Sequence, residues 1–350
     1  MSARAQPLPA GGPAAGAPAA RAATARALAA RGWRRLPRRA LAWVAALAAS
    51  LAVESALLFA ALQAVPGDAA TTLLGQNATP AELAATRHRL GLDEPAPVRY
   101  LRWIEGAVHG DLGASFQSGR PVAAVLAQPL LNSLVLAAAA FAAGAVLAVT
   151  SGLVTGLRPG SRTDTALSTA SVAVLSTPVL VWASGACVVF AGLLGWLPAV
   201  SLPPFGGTPL ARPVVLVLPA GTLALFGGAW AGRLIRAAVA DAARLPHVEA
   251  ARLAGLPRRR VLVRHLLPSA LAPCAQALAS MAALLVGGTA VVEQTFGYPG
   301  LGQLLVASVH DHDTPLTEGA ALVVVALVTL GFAAADFSGL LADPRRGRRS

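Results

Sequence analysis

The sequence predicts an all-α protein that crosses a membrane six times. Three observations carry that expectation. Of 350 residues, 55% are hydrophobic and 13% charged, with a mean hydropathy of +0.62. An ordinary soluble domain is about 45–50% apolar and about 25% charged. The apolar residues collect in six runs, each longer than the roughly 20 residues that one bilayer crossing needs. Finally, the basic residues gather in alternate connecting segments. In lipid every backbone polar group must be bonded internally, so such runs are expected to be helices.

The elements follow in chain order. Residues 1–39 are Ala, Pro, Gly and Arg without apolar periodicity, the composition of a disordered tail. That stretch is too long and too Arg-dispersed for a signal peptide, so 40–65 is expected to remain as an uncleaved first span. Residues 66–129 form the longest segment between spans. Thr79-Pro80-Ala81-Glu82 is a capping box with Pro at the first helical position, and Gly91 ends that helix. Val98, Leu101, Ile104 and Val108 predict a second amphipathic helix before Gly110, with Tyr100 and Trp103 suited to a membrane interface. Residues 66–129 therefore read as an extracytoplasmic helical cap. It meets a partner, covers a pore entrance or merely packs on the bundle.

Residues 130–341 hold the other five spans, near 130–157, 167–192, 213–235, 270–292 and 319–341, with a cytoplasmic loop at 236–269. Residues 342–350 are a basic tail. Gly152 with Gly156, and Gly228 with Gly232, have the spacing that lets membrane helices approach closely.

Orientation comes from Arg placement. With the N-terminus inside, segments 1–39, 158–166, 233–269 and 342–350 hold 22 of the 28 Arg residues, and the outer segments hold six. Ten acidic residues lie outside (among them Glu293, Asp313 and Glu318) and four inside. Both termini are thus expected in the cytoplasm. Two acids fall within apolar runs, Glu54 and Asp336, where a charge costs about 2.5–3.5 kcal/mol at mid-bilayer. Asp336 suits an interfacial pair with Arg345 or Arg346. Glu54 lies deeper, and its role stays open between packing and transport.

The residue inventory excludes several chemistries. The chain has no Lys, hence no Lys for a P-loop or a Schiff base. Cys187 and Cys274 lie in apolar runs and read as small core residues. Ser184 lacks the preceding Gly of a nucleophile elbow, and no His lies in an apolar run, which leaves no hydrolase. His310 and His312 with Asp311 and Asp313 suggest a metal, but no third partner accompanies the His pair. No covalent chemistry, cofactor or metal is expected in this chain.

The most informative segment is 247–268. Helical spacing places Val248, Ala251 and Leu256 near one face; Gly255 breaks the helix, and Pro257 favours a turn. Arg258, Arg259, Arg260, Arg264 and His265 follow on a second, basic helix. Such a helix–Gly–helix presents an apolar knob with a charged rim, or lies as a basic pair on anionic lipid.

Glu249-Ala250-Ala251, then Gly255, then Leu267-Pro268 resembles the EAA motif of ABC-type importer permeases, with His265 where the family pattern has Ile. Pro66-Gly67-Asp68-Ala69, Leu90-Gly91-Leu92-Asp93-Glu94-Pro95, the run 110–116 and Gly195-Trp196-Leu197-Pro198 resemble the dipeptide, oligopeptide and nickel branch. So does the block 291–302, Val-Val-Glu-Gln-Thr-Phe-Gly-Tyr-Pro-Gly-Leu-Gly.

The resemblance implies a type I ABC importer permease fold in the bacterial plasma (inner) membrane. It implies peptides, nickel or other small polar solutes as cargo, moved by alternating access. The implied partners are a second permease, two ATPase subunits that bind the ATP, and an extracytoplasmic solute-binding protein, with membrane lipid around them and no nucleic acid. It assigns ATPase coupling to Glu249, Ala250, Ala251, Gly255, Leu256, Leu267 and Pro268. The alternative is a channel or secondary transporter, which would not need the 247–268 segment.

Overall fold

The computed structural model describes residues 41–64, 69–75, 78–204 and 207–342, the side chains of 337–342 excepted. The tail at 1–39, Pro66-Gly67-Asp68, the basic tail and the expected Asp336–Arg345 pair lie outside the described residues or depend on them. Among the described residues the regular structure is helical, apart from an isolated bridge between Ala114 and Pro121. The helices are α1 Leu41–Gln63, α2 Ala69–Leu74, α3 Pro80–Arg89, α4 Ala96–Val108, α5 Val122–Leu157, α6 Arg162–Ser176 and α7 Val179–Ala186. They continue with α8 Val214–Ala242, α9 Pro246–Leu253, α10 Arg258–Val261, α11 Leu267–Phe296, α12 Leu301–His310 and α13 Thr314–Ala342. The described residues from Ser50 onward form one unit.

Among the described residues five helices are long and apolar enough to span a membrane, or six if a bent pair is one span. The bend falls inside the expected third span at 167–192. There α6 and α7 meet at 100°. Thr177 precedes Pro178 and takes extended dihedrals, φ −101° and ψ 132°, because a residue before proline is pushed out of the α region. Beyond α7 the chain widens into a π-type turn at Cys187–Leu193.

Other boundaries move as well. Helix α5 begins at Val122, ahead of the expected 130, and runs 36 residues through Pro129. At 1.5 Å per residue it outruns a bilayer core of about 30 Å, so one end stands in the cap. Arg258–Phe296 is one continuous apolar helical path of 39 residues. With α8 reaching Ala242, only 243–257 lies between these two long helices. The segment 293–318, expected as an outer loop, is mostly helical and contains α12.

The core forms where α5, α8 and α11 meet, around Leu136, Ile235, Leu266 and Met281. Lipid tails are as apolar as leucine, so contact between such helices depends on close packing. The glycine pairs provide it. A Cβ on Gly152 would sit 2.6 Å from Ile235 and 2.9 Å from the Gly232 carbonyl. A Cβ on Gly232 would sit 2.6 Å from Ser151 Oγ. The two small-residue motifs thus face each other across one α5–α8 seam. Near one end of the seam Arg236 clamps Asp164 with two bonds of 2.5 and 2.7 Å; Asp164 also accepts from Gly160 N, and its own N–H donates to the α6 N-cap, Ser161 Oγ.

The capping box forms as expected: Glu82 N donates to Thr79 Oγ1, and Thr79 N donates to Glu82 Oε2 at 2.8 Å. The Thr79 backbone N–H, and after it the Thr79 hydroxyl, donate to the Glu82 carboxyl and hold it below its usual range. Tyr100 and Trp103 are turned onto α1. Their rings stand 5.4 and 6.3 Å from Phe59, and the Tyr100 hydroxyl shares a 2.9 Å bond with Ser55 Oγ. Glu54 accepts from Thr329 Oγ1 of α13 at 2.9 Å, so its side chain faces protein.

Candidate functional site

Helix α9 is where sequence and geometry converge. Pro246 begins it, with Glu249 in its first turn and Arg252 in its last, the signs that suit a helix dipole. It ends at Gly255, whose φ of +72° is open to glycine and strained for other residues. Leu256 N donates to Ala251 O, and Gly255 N donates to Arg252 O, the paired bonds of a Schellman end. Pro257 then starts α10, which passes through a π-type turn at Leu262–Leu266 into α11. His247 Nε2 reaches Ser269 Oγ at 3.1 Å and ties the start of α9 to the start of α11.

The two faces of α9 differ from the expected division. Val248 is fully buried and Ala251 is 7% exposed, both within the main core together with Val261 and Leu266. Leu256 and Leu267 are half-buried against the same core, and Pro268 is exposed. Ala251 and Leu256 therefore fasten the segment; they do not form its outward knob. The outward residues are Glu249, Ala250, Arg252 and Leu253, with Leu253 84% exposed. Leu253 was missed because a leucine at helical spacing reads as core. Its signal was its place two residues before Gly255, on the side away from Val248 and Ala251.

At the far end of α11 lies a second constellation. Glu293 is fully buried. Its carboxylate accepts from Ser133 Oγ at 2.6 Å, Gly302 N at 2.7 Å and Gln303 N at 3.2 Å. Ser133 Oγ in turn accepts from Leu301 N. The Tyr298 hydroxyl donates to Asn132 O, and Asn132 Nδ2 donates to Pro299 O. Burial pushes the Tyr298 phenol up, which keeps it a donor. A Cβ on Gly300 or Gly302 would overlap the Glu293 side chain or Ala290. The 291–302 block is thus a helix corner in which a carboxylate seats the N-terminus of α12.

Asp313 is the third such acid. It accepts from Ser115 Oγ at 2.5 Å, Phe116 N at 3.0 Å and Gln117 N at 3.4 Å, and so pins the cap to α13. Glu293, Asp313 and Glu318, read from sequence as outer-loop charges, are all buried, at 5% exposure or less. Among the described residues no group of three His, Cys, Asp or Glu side chains is placed to hold a metal. His312 Nδ1 meets the His310 carbonyl instead.

The family described as binding-protein-dependent transport system inner membrane component matches residues 144–348. Its N-terminal counterpart matches 34–137. The chain belongs to that family. This permease is 30% identical over 292 residues to the oligopeptide transport system permease protein AppB of Bacillus subtilis, covering 83% of this chain and 92% of the relative. It is 32% identical over 293 residues to a Brucella abortus protein provisionally named a peptide transport system permease, covering 84% and 93%. Among solved structures, a chain of the MetNI methionine ABC transporter superposes over 62% of this permease and 96% of that chain, at 19% identity and a TM-score of 0.48. The permease is a multi-pass inner-membrane protein of the peptide branch of ABC importers, and its relatives are named for transport.

Proposed function

We propose that this permease moves peptides inward by alternating access, and that α9 is the lever on which two ATPase subunits act. A second, similar permease completes the pathway, and a solute-binding protein delivers the cargo on the side of the 66–129 cap. Both termini lie in the cytoplasm, as the Arg distribution favours. The relatives' names favour peptide over nickel as cargo.

One observation carries the coupling role. Helix α9 buries Val248 and Ala251 in the core while turning Glu249, Ala250 and Leu253 outward. A face fastened on one side and open on the other passes a push from a docked subunit to α8 and α11 without bending first. The Schellman end at Gly255 fixes its angle. Ala250 and Leu253 form the small apolar centre of the contact, with Glu249 and Arg252 at its rim. Gly255, Ala251, Leu256, Leu267 and Pro268 set its position. The experiment is co-purification of the ATPase subunits with Ala250→Asp, scored against permease level and peptide uptake. The reading expects normal permease, lost ATPase and lost uptake; full ATPase retention refutes it.

A further inference from the structure

Between α6 and the second half of α8 lies an open groove of about 470 Å³, within the size range of small-molecule sites. Two arginines of α8 line it, and they differ. Arg236 is spent, because Asp164 takes its guanidinium in two bonds. Arg233, almost one turn nearer the middle of the helix, is exposed and has no hydrogen-bond or ionic partner among the described residues. Arg212 stands just before α8, and from Val214, where the helix begins, no charged residue occurs until Arg233. That uncharged stretch rises about 29 Å at 1.5 Å per residue, against a bilayer core of about 30 Å. Arg233 thus falls where hydrocarbon gives way to headgroups. Trp230, half-buried and also lining the groove, is of the residue type that gathers at that level. Its indole N–H has no partner among the described residues either.

The rest of the lining limits the occupant. Val172, Leu175, Leu234 and Ala237 supply hydrocarbon wall, and Ser168 donates its hydroxyl to Asp164. A charge within a membrane-spanning stretch is normally paired, so Arg233 calls for an anion. A free phosphate leaves the wall uncovered, and a peptide brings amides that the wall does not meet. A phospholipid brings a phosphate for Arg233 and an acyl chain for the wall. A zwitterionic lipid also brings an ammonium, and the nearby acid, Asp164, is already held by Arg236. We infer that the groove holds an anionic phospholipid, its phosphate on Arg233 and Trp230 and one acyl chain along Val172, Leu175 and Leu234. Basic pockets between spans on the cytoplasmic side suit such headgroups, and the Arg distribution favours that side for this end of α8. The site does not depend on what the permease carries.

The test is native mass spectrometry of the full, delipidated chain in detergent, titrated with dioleoyl phosphatidylglycerol or with phosphatidylcholine of the same chains. The first phosphatidylglycerol is expected to bind more than about tenfold tighter than the first phosphatidylcholine. Arg233→Gln should weaken phosphatidylglycerol by about tenfold or more. Arg244→Gln, the same charge change outside the groove, should weaken it by less than about threefold. Arg233→Lys keeps the charge and should restore most of the binding, which separates a lost contact from a lost fold. Equal affinity of the wild-type chain for the two lipids overturns the site, and so do equal losses from Arg233→Gln and Arg244→Gln. Displacement of phosphatidylglycerol by trialanine would assign Arg233 to a peptide carboxylate instead. An assembled transporter that retains no phosphatidylglycerol, when the isolated chain does, would show the groove covered by the second permease. Either result also overturns the lipid site.

Discussion

The two ends of α11 are built on opposite plans. At one end, Glu293, Ser133, Asn132 and Tyr298 fill one another's hydrogen bonds in a buried knot, with Gly300 and Gly302 pressed against it. At the other, α9 and α10 hang on a few apolar anchors and one glycine turn, with Glu249, Ala250 and Leu253 exposed. Both ends come from the most distinctive blocks of the sequence, yet one is spent inward and the other outward. A recognisable motif therefore does not by itself mark a contact with a partner. The inward knot holds α12 in place; the outward segment leaves side chains exposed, on the face proposed to meet the ATPase subunits.

Damage to the knot should cost folding first. Glu293→Ala strands Ser133 Oγ and two backbone amides and leaves a cavity. A loss of about 3–5 kcal/mol is expected, read as a lower folded fraction in thermal unfolding of the detergent-solubilised chain. Near-normal unfolding would mean the knot is not structural. Gly152→Leu, on the α5–α8 seam, should cost about 1–3 kcal/mol because Ile235 and the Gly232 carbonyl leave no room. The same assay reads it, and an unchanged transition would show that the seam opens freely.

Damage to the outward end should spare folding. Gly255→Val forces a β-branched residue to φ +72° where no neighbouring atom lies within 4 Å of a Cβ. The strain is confined to backbone, about 1–3 kcal/mol, and tilts α9. Normal membrane level with lost uptake is expected. Wild-type uptake would reduce the segment to a surface helix pair.

How much of this was legible follows from the physics of each part. The long spans were readable because lipid demands continuous apolar helix. The α3 capping box was readable because both of its bonds are local. Gly255 was readable because a helix end needs a residue tolerant of positive φ. The bend at Thr177-Pro178 was hidden because its flanks are as apolar as any span. The burial of Glu293, Asp313 and Glu318 was hidden because their partners stand far off in sequence, as Ser133 does from Glu293. The two faces of α9 were misassigned for the same reason: spacing groups Val248 with Ala251 but does not say which side meets the core.

The most direct test of the account is Leu253→Asp, scored by ATPase subunits retained per permease on purification. Leu253 is 84% exposed, so the chain's own stability should move by less than about 0.5 kcal/mol. A charge placed at the centre of the docking face should cut ATPase retention by about tenfold or more. Full retention with the same thermal unfolding as wild type would contradict the assignment of α9 as the lever.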